Sequence, residues 1–119
     1  MQNREHHGKM NVVNIEDLLS RSQLQPTARS SGASLFDFSD SERLLDLCEH
    51  VGIGVLGIEG FELADGNLYP DMNYIGDFSA LLDRDDFQVQ SIKSARQFLE
   101  LTEKSSHLLF EYLLTRPDG

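Results

Sequence analysis

Glu59 and Glu111 are the two carboxylates set in the most apolar stretches of the chain, GVLGIEGFEL and HLLFEYLL. Two acids held about 5 to 9 Å apart across a cleft can run acid–base hydrolysis. The competing reading places each at a strand end or on the solvated face of a sheet. No second motif accompanies the pair, and function is argued from a site, not from isolated residues. Asp83, Asp85 and Asp86, in the run DRDD, offer closely spaced oxygen ligands. A calcium loop of the EF-hand kind needs a longer pattern with a central Gly and a terminal Glu, so DRDD reads as a solvated charged loop.

Histidine and cysteine add no chemistry. His6 and His7 lie in a polar N-terminal stretch, His50 near a helix end and His107 at a strand start, and no H-E-x-x-H or C-x-x-C spacing joins them. Cys48 is the only cysteine and falls on an apolar helical face, which makes it a core thiol. Gly52, Gly54 and Gly57 satisfy a G-x-G-x-x-G spacing. A hairpin comes next instead of a helix, so the strand–turn–helix geometry that cradles phosphate is missing. No cofactor is expected.

Charge is the more informative property. Residues 35–119 carry 17 acids against six bases, whereas residues 1–34 carry three acids and four bases. Such a field repels nucleic acid and anionic membranes and steers a cationic protein inward. Between Glu59 and Phe87 the only base is Arg84. That stretch holds Glu59, Glu62, Asp65, Asp71, Asp77, Asp83, Asp85 and Asp86, interleaved with Tyr69 and Tyr74. These ten residues are the candidate partner-binding set: acids to steer and tyrosines to anchor. The plain alternative is a solubilising surface. A lone cysteine fits a reducing compartment, no apolar run approaches the roughly 20 residues of a membrane span, and Met1–Met10 has no apolar leader core. A cytoplasmic location is the expectation.

The elements that must position these residues are read from periodicity. At 119 residues the chain is expected to build one modest core. Residues 1–34 are expected to be a flexible arm with a possible short helix after the N-cap Asn14, stopped by Pro26, and Met10 is a possible alternative start. Thr27–Ser34 reads as a linker. The domain proper is expected over 35–119. Ser39 and Glu42 form a capping-box pair before a helix whose stripe is Leu44, Leu47, Cys48 and Val51, ended by Gly52. Ile53–Leu63 reads as a strand, and Asp65-Gly66 as a two-residue hairpin turn that returns Leu68 and Tyr69 beside Phe61 and Leu63. Pro70 is expected to interrupt the return strand. Residues 71–82 are ambiguous between strand and helix, with extended structure favoured. Ser91 is expected to cap a second helix buried along Ile92, Ala95, Phe98, Leu99 and Thr102, with Arg96 and Glu100 pairing one turn apart. His107–Thr115, apolar on both parities, reads as a central strand ended by Pro117. The fold class is therefore α+β: a mostly antiparallel sheet of three to four strands packed by two main helices.

The order and texture of GVLGIEGFEL, YPDMNYIGDFSALL, SIKSARQFLE and HLLFEYLL, over residues 53–115, resemble small immunity proteins of bacterial polymorphic toxin systems. The resemblance implies a non-enzymatic protein that binds a toxin domain made by the same cell and occludes it. Such toxins are frequently basic nucleases, and the acidic inhibitor imitates their substrate's charge. The alternatives are an acidic adaptor for another basic protein and a small hydrolase using Glu59 and Glu111.

Overall fold

The computed structural model describes residues 11–102 and 107–116. Its elements run β1 (Asn11–Val12), α1 (Ile15–Ser22), β2 (Ala28–Ser30), β3 (Ala33–Leu35), α2 (Phe38–Val51), β4 (Gly54–Ala64), β5 (Asn67–Asp77), a 3-10 turn (Ser79–Leu81), α3 (Phe87–Thr102) and β6 (Leu108–Arg116). The fold is α+β. Four antiparallel strands in the order β1-β6-β4-β5 form the main sheet, and β2 and β3 form a separate hairpin.

The first helix starts where expected. Asn14 Oδ1 accepts from the Glu16 and Asp17 N–H groups, satisfying two donors that the first turn leaves free. The helix ends at Gln23, in the left-handed conformation, three residues before Pro26. Thr27–Ser34 is not a linker: residues 28–35 pair as the β2–β3 hairpin. Glu16 ties α1 to that hairpin by accepting from Arg29 and Ser34, and these bonds hold its carboxyl below the usual range. Asn11 and Val12 pair with Arg116 and Thr115, and Leu19 is buried in the core. The residues expected to form an arm thus supply an edge strand and a core contact from position 11 onward. Residues 1–10 lie outside those described.

Asp37, not Ser39, caps α2, its carboxylate accepting from the Asp40 N–H at 2.8 Å. The buried stripe is Ser41, Leu44, Leu45 and Cys48, rotated from the expected one so that Val51 is exposed. Gly52, at φ +82°, stops the helix. Helix α3 begins at Phe87, four residues before the expected cap. Ser91 is buried inside it, accepting from the Val55 N–H and donating to the Gln88 carbonyl. Burial along Ile92, Ala95, Leu99 and Thr102 matches the expected face. Arg96 reaches across to Asp46 and Glu49 of α2, both at 2.9 Å, where the helical spacing had pointed to Glu100.

Asp65 and Gly66, both at positive φ, join β4 to β5, with Ala64 opposite Asn67. Leu63 faces Leu68 and Glu62 faces Tyr69. Pro70 interrupts the β4–β5 pairing, as expected, although the strand itself continues to Asp77. The proline stands opposite Phe61 on the sheet's edge, where a missing N–H is tolerated, and residues 71–74 then bulge out before Ile75 pairs with Glu59. The ambiguous stretch is strand as far as Asp77 and a 3-10 turn over Ser79–Leu81. β6 is central, between β1 and β4, and runs to Arg116.

Helices α2 and α3 contact the sheet through β4, β5 and β6. Beneath them lie Leu108, Phe110, Tyr112 and Leu114 of β6 with Val55 and Ile58 of β4, and Phe98 meets Phe110 edge-on. A Cβ at Gly76 would fall 2.9 Å from Phe78 and 3.1 Å from Phe98, so Gly76 also looks toward α3. A register shift between Val55 and Gly57 lets both Val55 and Ile58 face the helices, and around Ile58, Tyr112 and Gly76 strand alternation turns the adjoining residues of the three strands to the other face.

A candidate binding face on the helix-free side of the sheet

The alternate residues make two cross-strand rows. Glu111, Glu59 and Ile75 form one; Leu113, Gly57 and Asp77 form the next. Core-facing Ile58, Tyr112 and Gly76 lie between them in sequence, which fixes the rows on the opposite face. Together they line a depression of about 420 Å³. Ile75 is 45% exposed and Leu113 48% exposed, whereas both glutamates are half-buried. Gly57 contributes no side chain, which opens the floor between Leu113 and Asp77.

The electrostatics are one-sided. Partial burial and the facing Glu59 carboxylate push the Glu111 carboxyl above its usual range. Asp77 behaves in the opposite way: its Oδ1 accepts from the Ser79 N–H at 3.0 Å, which holds its pKa down. Among the described residues, no ion pair reaches Glu59, Glu111 or Asp77; each ion pair present lies elsewhere. The face carries negative charge that the described residues do not neutralise.

The remaining candidates divide among three places. Glu62 sits across from Tyr69 on the hairpin, hydrogen-bonded to the Asp71 side chain, and this contact and burial push its pKa up. Glu62 comes after Ile58 and Gly60 along the helix-side face of β4, so it does not belong to the two cross-strand rows. Asp65 occupies the hairpin turn, and Tyr69 beside it is 52% exposed. Asp71 lies in the bulge, where its carboxylate accepts from the Asn73 N–H. Tyr74 is half-buried and packed against the core, so it is not an open anchor. Asp83 and Asp85 are exposed in the loop before α3. Asp86 is engaged: both its oxygens accept from Arg84, at 2.7 and 3.0 Å, and its carbonyl accepts from the Gln90 N–H at the start of α3.

The structure therefore joins Glu59 and Asp77 in one depression that the DRDD loop and the hairpin acids do not line. It adds Glu111, Ile75, Leu113 and Gly57, which the charge pattern alone did not select. Alternation along β4 and β6 holds part of that signal. The register that sets Glu59 against Glu111 does not appear in either strand alone.

Other chemistry is thin. Among the described residues no group of His, Cys, Asp and Glu is arranged to hold a metal. The Cys48 thiol is fully buried and desolvation pushes its pKa up to about 12, so it is no nucleophile. Among the described residues no helix is long and apolar enough to cross a membrane. No family model and no curated protein matches this sequence.

Proposed function

We propose that this chain is a stoichiometric inhibitor of the immunity-protein kind, which binds a basic toxin domain and occludes it. The observation that carries the reading is the helix-free sheet face: half-buried carboxylates that no cation among the described residues pairs, beside exposed Ile75 and Leu113. Such a face combines the desolvated centre and charge complementarity that protein interfaces use. The net charge of −10 supports steering of a cationic protein and disfavours nucleic acid. An acidic adaptor for another basic protein uses the same surface and differs only in the consequence of binding.

The test is to immobilise the chain, capture proteins from its source cells at low salt, and purify the retained species. The expected result is one basic protein that binds 1:1, loses its activity in the complex, and associates more slowly as salt rises. A bound protein that keeps its activity identifies an adaptor. Capture of nothing even at low salt removes both.

A second reading is favoured by one observation. Glu59 and Glu111 share a face and line a depression, and the Glu111 carboxyl is pushed above its usual range. Two acids on one face, one of them with a raised pKa, are the starting elements of an acid–base hydrolase. It predicts turnover of a glycoside panel that E59Q and E111Q each abolish; an inactive wild-type chain removes it.

A further inference from the structure

We infer that the helix-free face receives an arginine side chain of the partner, its guanidinium between Glu59 and Glu111 and its stem against Ile75 and Leu113. This rests on the binder reading and names the chemistry that the face selects.

Three properties of the face converge on that occupant. The acids are opposed across β4 and β6, and partial burial together with the facing Glu59 carboxylate disfavours the charged form of Glu111; a cation placed between the two relieves the repulsion. Ile75 extends the row of the two glutamates and Leu113 stands in the row beside it, both about half exposed. An apolar flank next to a charged centre matches a side chain with an apolar stem and a cationic head. The space above Gly57 gives that side chain room, in a depression of about 420 Å³. Arginine suits two facing carboxylates better than lysine, because its planar fork donates to both in fixed geometry.

Other occupants fit poorly. A second copy docked face to face would bring four glutamates together on a chain of net charge −10. Calcium requires six to eight oxygens, which two glutamates and a capped Asp77 do not supply.

The experiment is a titration of the full chain with a deca-arginine peptide, with deca-lysine and deca-glutamate alongside, read by backbone amide NMR shifts. Perturbation is expected at residues 57–59, 75–77 and 111–113, with deca-arginine binding more tightly than deca-lysine and deca-glutamate not binding. E59Q/E111Q and D83N/D85N each remove two negative charges. The first is expected to weaken deca-arginine binding at least tenfold and the second less than twofold. I75K, at an exposed position, sets a cation in the same row and is expected to weaken binding tenfold while keeping the fold, so it serves if the double variant unfolds. Equal weakening by the two charge-matched pairs, or shifts centred on residues 62–71 or 83–86, overturns the inference. The two proposals fail separately. A captured partner that binds E59Q/E111Q as tightly as wild type removes this site and leaves the binder reading. A chain that binds deca-arginine at this face but captures no protein does the reverse.

Discussion

Glu59 on β4 and Glu111 on β6 stand directly opposite one another on the helix-free face of the sheet. Like charges in that relationship are destabilising, and partial burial, with the Glu59 charge adding to it, raises the Glu111 pKa. The folded-state pKa lies above the unfolded one, so the native state holds the proton longer. Stability from this group is complete below the unfolded value near 4.5 and is lost as pH rises through the folded value. E111Q is therefore expected to stabilise the chain at pH 7, by under about 1 kcal/mol, and to leave stability unchanged at pH 3.5. Urea denaturation at the two pH values checks both the sign and the window.

Gly54 lets β4 pack close against α3. A Cβ there would fall 2.5 Å from the Phe87 ring and 2.9 Å from the Ser91 hydroxyl, both buried. Gly54→Ala is expected to cost about 1–3 kcal/mol, the usual cost of overpacking. An unchanged urea midpoint would mean that α3 moves aside freely.

Ser91 gives the opposite kind of test. Its hydroxyl accepts from the buried Val55 N–H at 3.0 Å. Ser91→Ala removes few atoms but leaves that donor unpaired, and the expected loss is about 1–3 kcal/mol. Faster hydrogen exchange at Val55, with distant β6 amides unaffected, would locate the defect at this bond.

Arg96 links α3 to Asp46 and Glu49 of α2, but those two carboxylates are well exposed. Arg96→Met is expected to cost no more than about 1 kcal/mol at low salt and almost nothing in 1 M NaCl. A large, salt-independent loss would show that the arginine stem, not its charge, holds the helices together.

Cys48 is fully buried with its thiol pKa pushed up to about 12. Native protein is expected to resist a thiol-specific reagent at pH 8 and to react completely in 6 M guanidinium. Rapid labelling of the native chain would mean that α2 opens locally.

Local chemistry was legible in the chain alone wherever a few neighbouring residues decided the outcome. Asn14 and Gly52 bound helices because capping oxygens and left-handed glycine act within one turn. Asp65-Gly66 specified the hairpin because both positions need positive φ. The α+β class came from alternating and helical periodicities in order. Harder to read were Ser91, polar in sequence yet buried by a bond to a residue 36 positions away, and Thr27–Ser34, whose small polar residues resemble a linker but pair as a hairpin. Pro70 announced the break in pairing, but that the strand resumes beyond it on the sheet's edge is a tertiary fact.

The acidic excess, the single cysteine and the missing metal spacings belong to the sequence by itself. Which acids share a surface belonged to the tertiary structure. Glu59 and Glu111 are 52 residues apart, and only the register between β4 and β6 makes them neighbours. A one-residue slip would have sent one of them to the other face. Asp83, Asp85 and Asp86 look like the stronger cluster in sequence, yet Arg84 engages one of them and the loop leaves the others in solvent. Charge is additive along a chain, but its effect depends on burial and facing partners, and these exist only after folding.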